Sequence, residues 1–278
     1  MKLYLAIAAA MLAFAGNSLL ARLALATDEI HPAAFTTIRL ISGALALLGF
    51  VALRRCEDQV TQPNWVAAIA LFVYAAAFAF AYIELSAATG ALILFATVQV
   101  SLIGYGLARG SRMNLAQVCG ISLGVMGIAF LMLPGLQQPN GFAAALMALA
   151  GISWAVYTLQ GGVGDPVVAS RDNFLRACAL CVVFIFWLAE MGGMSPAGVA
   201  YAMVSGVFAS AGGYIIWYAV LRDINAIDAA TVQLSVPIIT ALLAVVLLDE
   251  PLTMRILVAF CITIGGIALS IRYGVKQE

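Results

Sequence analysis

The chain has 278 residues, of which 64% are hydrophobic and 9% charged. Soluble domains carry about 25% charged residues, so the composition excludes one and points to a protein that crosses a membrane many times. Thirteen basic residues balance thirteen acidic ones, which removes the basic face that nucleic-acid binding needs.

Apolar runs of about 20 residues can cross a bilayer as helices. Ten such runs stand at roughly 3–25, 34–53, 64–84, 88–108, 115–133, 141–161, 173–191, 197–218, 228–248 and 253–272. The first follows Met1-Lys2 and carries Ala13-Phe14-Ala15 before Gly16, which mimics a signal peptide and its cleavage site. Because the run continues to Ala26, it is expected to stay as the first span. Between the runs stand Asp28-Glu29, Arg54-Arg55, Arg109 to Asn114, Pro134 to Asn140, Gly161 to Asp165, Arg222-Asp223 and Asp249-Glu250-Pro251, the charges and turn formers of loops. Short loops make neighbouring helices antiparallel. With the N-terminus in the cytoplasm, Lys2, Arg54, Arg55, Arg109, Arg112, Arg171, Arg222, Arg272 and Lys276 fall inside, against Arg22 and Arg255 outside. That bias follows the positive-inside rule and returns the C-terminus to the cytoplasm.

The chain also repeats itself. FAGNSLLARLA at 14–24 resembles WAVYTLQGGVG at 154–164, and FTTIRL at 35–40 lines up with DNFLRA at 172–177. Gly90 to Leu107 lines up with Asp228 to Val245, and GVMGIAFL at 124–131 with TIGGIALS at 263–270. The offset stays near 137 to 140 residues, half the chain. The reading is an all-α membrane protein of ten transmembrane helices, with residues 1–136 and 137–278 as two five-helix repeats. An odd number of spans inverts one repeat against the other. This is the plan of secondary transporters, whose binding site lies near the midplane between the halves.

Polar groups at that depth need partners, because hydrocarbon offers none. The stretch Asp228–Thr253 carries Gln233 and Pro237 inside its apolar run. A proline within a helix removes one backbone donor and clashes with the carbonyl one turn back, here that of Gln233, so a kink is expected. The repeat partner of this stretch holds Phe95 and Gln99. For Gln99 and Gln233, helix–helix hydrogen bonding and substrate contact both stay open. For Ser18, Thr158 and Ser235, helix–helix bonding is the plainer reading; Asn17 and Tyr157 complete the deep polar set. Aromatic residues form a second set: Phe14, Phe78, Tyr82, Trp154, Tyr214, Trp217 and Tyr218. Trp217 and Tyr218 suit a membrane-interface belt. Trp154 is too deep for one, which leaves core packing or cavity lining.

No acidic residue falls near a span centre, which argues against coupling through a buried carboxylate. Arg39 and Arg176 lie a turn or so inside their spans, where each can snorkel to an interface. The alternative makes them, with Pro237, hinge or gate residues, the two arginines facing an acid or a substrate carboxylate. Gly120, Gly124, Gly127 and Gly265-Gly266 allow close helix contact, within one chain in preference to a dimer, so a monomer is expected. Gly90, Gly161, Gly162, Gly212 and Gly213 mark places where spans can bend. Of five cysteines, Cys178 and Cys181 have CxxC spacing but no second ligand pair, and Cys56 stands apart in a loop. The one histidine, His31, precedes Pro32 in a loop and is read as solvated. No metal, cofactor or catalytic cluster is expected from this set.

The proline-bearing ninth helix with its Asp249-Glu250-Pro251-Leu252-Thr253 end, and Trp154 with its mate Phe14, resemble the drug/metabolite transporter superfamily, in particular its ten-span EamA type. The resemblance covers essentially the whole chain. One departure is Arg109-Gly-Ser-Arg112 after the fourth helix, where the family often carries an acidic pair. Members are similar to bacterial inner-membrane exporters of amino acids and other small metabolites. The resemblance implies a cavity lined by helices one, three, four, six, eight and nine. It places Phe14, Ser18, Phe78, Tyr82, Phe95, Gln99, Trp154, Thr158, Tyr214 and Gln233 near a small-molecule substrate, with an amino acid as the first expectation. A carrier of nucleotide sugars or phosphorylated metabolites is the rival. It is disfavoured because phosphate recognition favours Arg and Lys, which are not expected at mid-membrane here. A non-transporting structural subunit is the other rival.

Overall fold

The computed structural model describes residues 2–54, 64–110, 114–133, 138–161, 165–185, 194–224 and 232–272. Arg55, Cys56, Arg112, Pro134, Gly162, Glu190, Asp228 and Lys276 lie outside these residues. The described residues form helices and connecting turns and contain no strand. In chain order they are α1 Lys2–Leu25, α2 Pro32–Arg54, α3 Trp65–Ala81, α4 Ala87–Ala108, α5 Leu115–Leu131, α6 Gly141–Leu159 and α7 Pro166–Leu180. A 3-10 turn, Cys181–Phe184, follows α7. Then come α8 Pro196–Val204, a π-helical segment Ser205–Gly212, α9 Gly213–Val220, α10 Ser235–Leu248 and α11 Met254–Arg272. Five rods are long and apolar enough to cross a membrane: α1, α2, α4, α6 and the continuous Pro196–Val220. Shorter apolar helices are α3, α5, α10 and most of α11.

Local sequence sets the starts. Asn64, Ser86, Asn114, Asn140, Asp165 and Ser195 each accept a backbone N–H of the first turn, and each such cap stabilises its helix by about 1 kcal/mol. Asn114 and Gln117 complete a reciprocal capping box. Pro166 and Pro196 follow their caps directly, where a missing N–H costs nothing. The Asp165-Pro166 pair corrects the expected seventh span, whose start at 173 lies beyond Arg171 and Asp172. Those charges instead lie inside α7 and neutralise one another. Arg171 Nε sits 2.8 Å from Asp172 Oδ1, and Arg176 Nη2 sits 3.9 Å from Asp172 Oδ2.

The ninth stretch also differs from expectation. The helix breaks at Leu234 and restarts at Ser235, so Pro237 stands in the first turn of α10. A first-turn proline sacrifices no helical hydrogen bond, and the predicted mid-helix kink becomes a helix start. Ser235 Oγ donates to the Val232 carbonyl at 2.6 Å across the break.

Packing brings α5 against α11, α3 and α4 against α6, and α2 against α7 and the π-helical segment. It also brings α1 against α8 to α10, α3 against α7, and α4 against α10. Small residues make the α5–α11 contact. A Cβ on Gly120 or Gly127 would collide with Gly266 or Thr263, and one on Gly266 with Gly120 and Gly124. Gly265 faces open space. His31 stays exposed; its Nδ1 accepts the Ala33 N–H at 3.2 Å.

Candidate functional site

Trp154 of α6 is the hub of a buried aromatic cluster. Its ring centre lies 5.5 Å from Phe14 of α1, 5.0 Å from Tyr74 of α3, 5.6 Å from Tyr157 and 4.9 Å from Tyr214 of α9. Phe78 packs on Tyr74 and Tyr82, and Phe174 of α7 on Tyr214. Such pairs contribute about 0.5–1.5 kcal/mol each beyond burial, so the cluster ties five helices together. Trp217 and Tyr218 are buried parts of it. Trp217 touches Phe14, and Tyr218 touches Tyr157. The interface-belt reading therefore fails for both.

Arg39 of α2 lies inside the same cluster, 1% exposed. Its Nε donates to Ser210 Oγ at 2.9 Å, and its Nη2 to the hydroxyls of Tyr74 and Tyr214 at 3.3 and 3.2 Å. Its guanidinium carbon lies 5.2 Å from the ring centres of Tyr74 and Phe78. Burial at this level overturns the snorkelling reading of Arg39. It also removes the reason given against anion recognition, since a cation does stand in the buried core. A guanidinium stays charged in any protein setting. Burying a charge within a membrane-spanning helix is costly, about 2.5–3.5 kcal/mol at a helix centre. Three hydroxyl bonds to a charged group, about 1.5–3 kcal/mol each, and two aromatic faces offset that cost.

The π-helical segment makes this contact. Gly206 lets it close on α2, because a Cβ there would collide with the Arg39 carbonyl and Ser42 Oγ. Ser210 then reaches the guanidinium. Ser205 Oγ donates to Asn17 Oδ1 at 2.6 Å, and Asn17 Nδ2 donates to the Tyr74 hydroxyl at 3.2 Å. A polar chain thus runs from α8's end through α1 and α3 to α2. π-Helical turns are frequent at functional sites.

Of the expected site residues, Phe14, Phe78, Tyr82, Trp154 and Tyr214 join this one cluster. Tyr82 packs against Gly90, where a Cβ would collide with its ring. Ser18 is buried on α1 one turn beyond Phe14. Thr158 donates to the Trp154 carbonyl at 2.8 Å, a bond internal to α6. Phe95, Gln99 and Gln233 are buried outside the ring network. Phe95 belongs to the main buried core, and the chain neighbours Ala96 and Leu234 pack together with Ile267. Arg176 is partly exposed and ion-paired with Asp172, so the two arginines occupy unlike surroundings. Sequence reading missed Tyr74, Ser205 and Ser210. Tyr74 follows the same stripe as Phe78 and Tyr82 at four-residue spacing, a signal that was legible.

At one end of the bundle, Arg22 Nε meets Glu250 Oε1 at 2.8 Å, and its Nη1 donates to the Tyr82 and Ile83 carbonyls. Glu250 Oε2 accepts the Ala87 N–H at 2.8 Å, placing a carboxylate on the α4 N-terminus, where the helix dipole favours it. This knot joins α1, α3, α4 and α10. Asp249 beside it takes a left-handed conformation, φ 52°, to end α10. Toward the other end of α1, a groove of about 450 Å³ opens between Ile7 and Met11 of α1 and Ser235 and Ile239 of α10.

The model of the EamA-like transporter family matches residues 1–133 and again 141–272. The chain belongs to the EamA-like transporter family. With it comes membership of the drug/metabolite transporter superfamily. This EamA-family chain is 48% identical to an uncharacterized protein of Pseudomonas aeruginosa over 94% of the chain and 91% of that protein. It is 26% identical to an uncharacterized transporter of Archaeoglobus fulgidus over 97% of each. A solved crystal structure aligns over 99% of both chains with a TM-score of 0.71 at 17% identity, a likeness of fold alone.

Proposed function

We propose that this EamA-family chain is a ten-span inner-membrane carrier of small metabolites, most naturally an exporter of amino acids. It works by alternating access between two inverted five-helix halves, residues 1–136 and 137–278. Two observations support the repeat. The family model matches twice, once in each half. The packing pattern also survives exchange of the halves: α1 against α8 and α9 mirrors α6 against α3, and α1 against α10 mirrors α6 against α4. Helix-end contacts fit strict alternation, with Arg255 on the Leu133 carbonyl and the Ser195 N–H on the Glu29 carbonyl. By the charge bias these and the Arg22–Glu250 knot lie outside, and both termini lie in the cytoplasm.

The Trp154-centred cluster carries the functional reading, because its rings come from helices of both halves, and inverted repeats bind substrate between their halves. Phe14, Phe78, Tyr82, Trp154 and Tyr214 hold the apolar part of the substrate. Gln99 and Gln233 orient its polar groups from the α4–α10 side, and Ser18, Phe95 and Thr158 complete the lining. Pro237 and the helix break before it serve as hinge, and the Arg22–Glu250 knot closes the outer side. The carrier acts as a monomer in the bilayer. The test is uptake of a labelled amino-acid panel into proteoliposomes. Saturable flux that collapses in the Trp154→Ala/Gln99→Ala double variant is expected; unchanged flux in that variant sinks the assignment.

A further inference from the structure

Four buried donors in the cluster find no hydrogen-bond partner among the described residues: Arg39 Nη1, Trp154 Nε1, Trp217 Nε1 and the Tyr157 hydroxyl. Buried donors are nearly always paired. Of these, Arg39 and Trp154 share neighbours. Tyr74 and Tyr214 both bond to the Arg39 guanidinium, and both pack on the Trp154 ring. All of Arg39's partners are neutral hydroxyls, and no described carboxylate forms an ion pair with it. The site therefore holds one uncompensated positive charge inside an aromatic wall.

We propose that Arg39 is the recognition point for a carboxylate on the transported solute, with Trp154 Nε1 as second donor. The claim rests on the carrier reading and names the chemistry of its substrate. A carboxylate brings one negative charge and oxygens that accept from guanidinium N–H groups. One charge on the solute then cancels one on the protein. A phosphate monoester carries between one and a half and two negative charges, more than this single cation balances, so the class is monocarboxylate. The surrounding rings favour an apolar or aromatic body on the same solute. Tyr74 and Ser210 are positioning residues: they fix the guanidinium and leave Nη1 for the ligand.

The test uses full-length protein in nanodiscs and four probes: L-phenylalanine, L-phenylalaninamide, benzoate and phenyl phosphate. Binding is read by Trp fluorescence and by thermal shift. At least one carboxylate is expected to bind tenfold or more tighter than L-phenylalaninamide, with phenyl phosphate weaker than that carboxylate. Arg39→Gln abolishes the difference between acid and amide, and Arg39→Lys keeps part of it, because charge remains while the fork is lost. A purely structural Arg39 would move thermal stability and leave the acid-to-amide ratio unchanged. If Arg39→Gln does not fold, the wild-type ratio alone decides. Equal binding of acid and amide, no binding by either carboxylate, or preference for phenyl phosphate overturns the proposal. Uptake of an amine or neutral solute without acid preference leaves the carrier reading standing and removes only this one. Acid binding without any flux does the reverse.

Discussion

At the scale of single residues, the molecule turns on contacts between helices far apart in sequence. Arg39 meets Tyr74, Ser210 and Tyr214, and none of the three is near it in the chain. Position within a span suggested an interface; only the tertiary fold puts it in a closed aromatic wall. Trp154 was legible, because a tryptophan deep in a span has no belt to join. Gly90 offers a direct check on packing. A methyl there would collide with the Tyr82 ring, which is fully buried and has no room to swing. Gly90→Ala should cost about 1–3 kcal/mol, the usual range for overpacking. A lowered melting temperature in detergent would bear this out; an unchanged one would mean that α3 and α4 can separate freely.

At the scale of elements, most boundaries were legible because asparagine, serine and aspartate caps mark them. Two were not. The seventh helix begins at Pro166 because a cap and a first-turn proline outweigh the charges that follow. The tenth begins at Ser235, so Pro237 starts a helix where a kink was expected. Glu250 has two jobs, pairing with Arg22 and capping α4. Glu250→Gln keeps its shape and removes its charge, so amides of residues 82–90 should exchange hydrogen faster, with Ala87 most affected. Arg22→Gln should reproduce the effect at the end of α3; unaltered exchange in both would show the knot to be idle. The α5–α11 contact lies apart from the cage. Gly127→Leu should push the two helices apart at Thr263 and lower thermal stability, while uptake per folded molecule is retained. Loss of uptake without loss of stability would contradict that separation.

At the scale of the whole molecule, composition gave the membrane character and half-chain offsets suggested the repeat. What the sequence withheld was which rings meet, since weak identity aligns residues without placing them in contact. Reporter fusions after residue 272 and within the Asp249–Thr253 loop should report cytoplasm and periplasm respectively; the opposite pattern would invert the topology. The central claim is that solute passes through the Trp154 cage. The measurement that tests it most directly is counterflow of labelled amino acids in proteoliposomes, with wild type, Trp154→Ala and Tyr105→Ala at equal amounts of folded protein. Tyr105 is an exposed residue near the end of α4, with Arg109 over its ring, and no described ring contact joins it to the cage. Flux in wild type and Tyr105→Ala with at least a tenfold loss in Trp154→Ala is the predicted result. Equal flux in all three, or none in wild type, would contradict it.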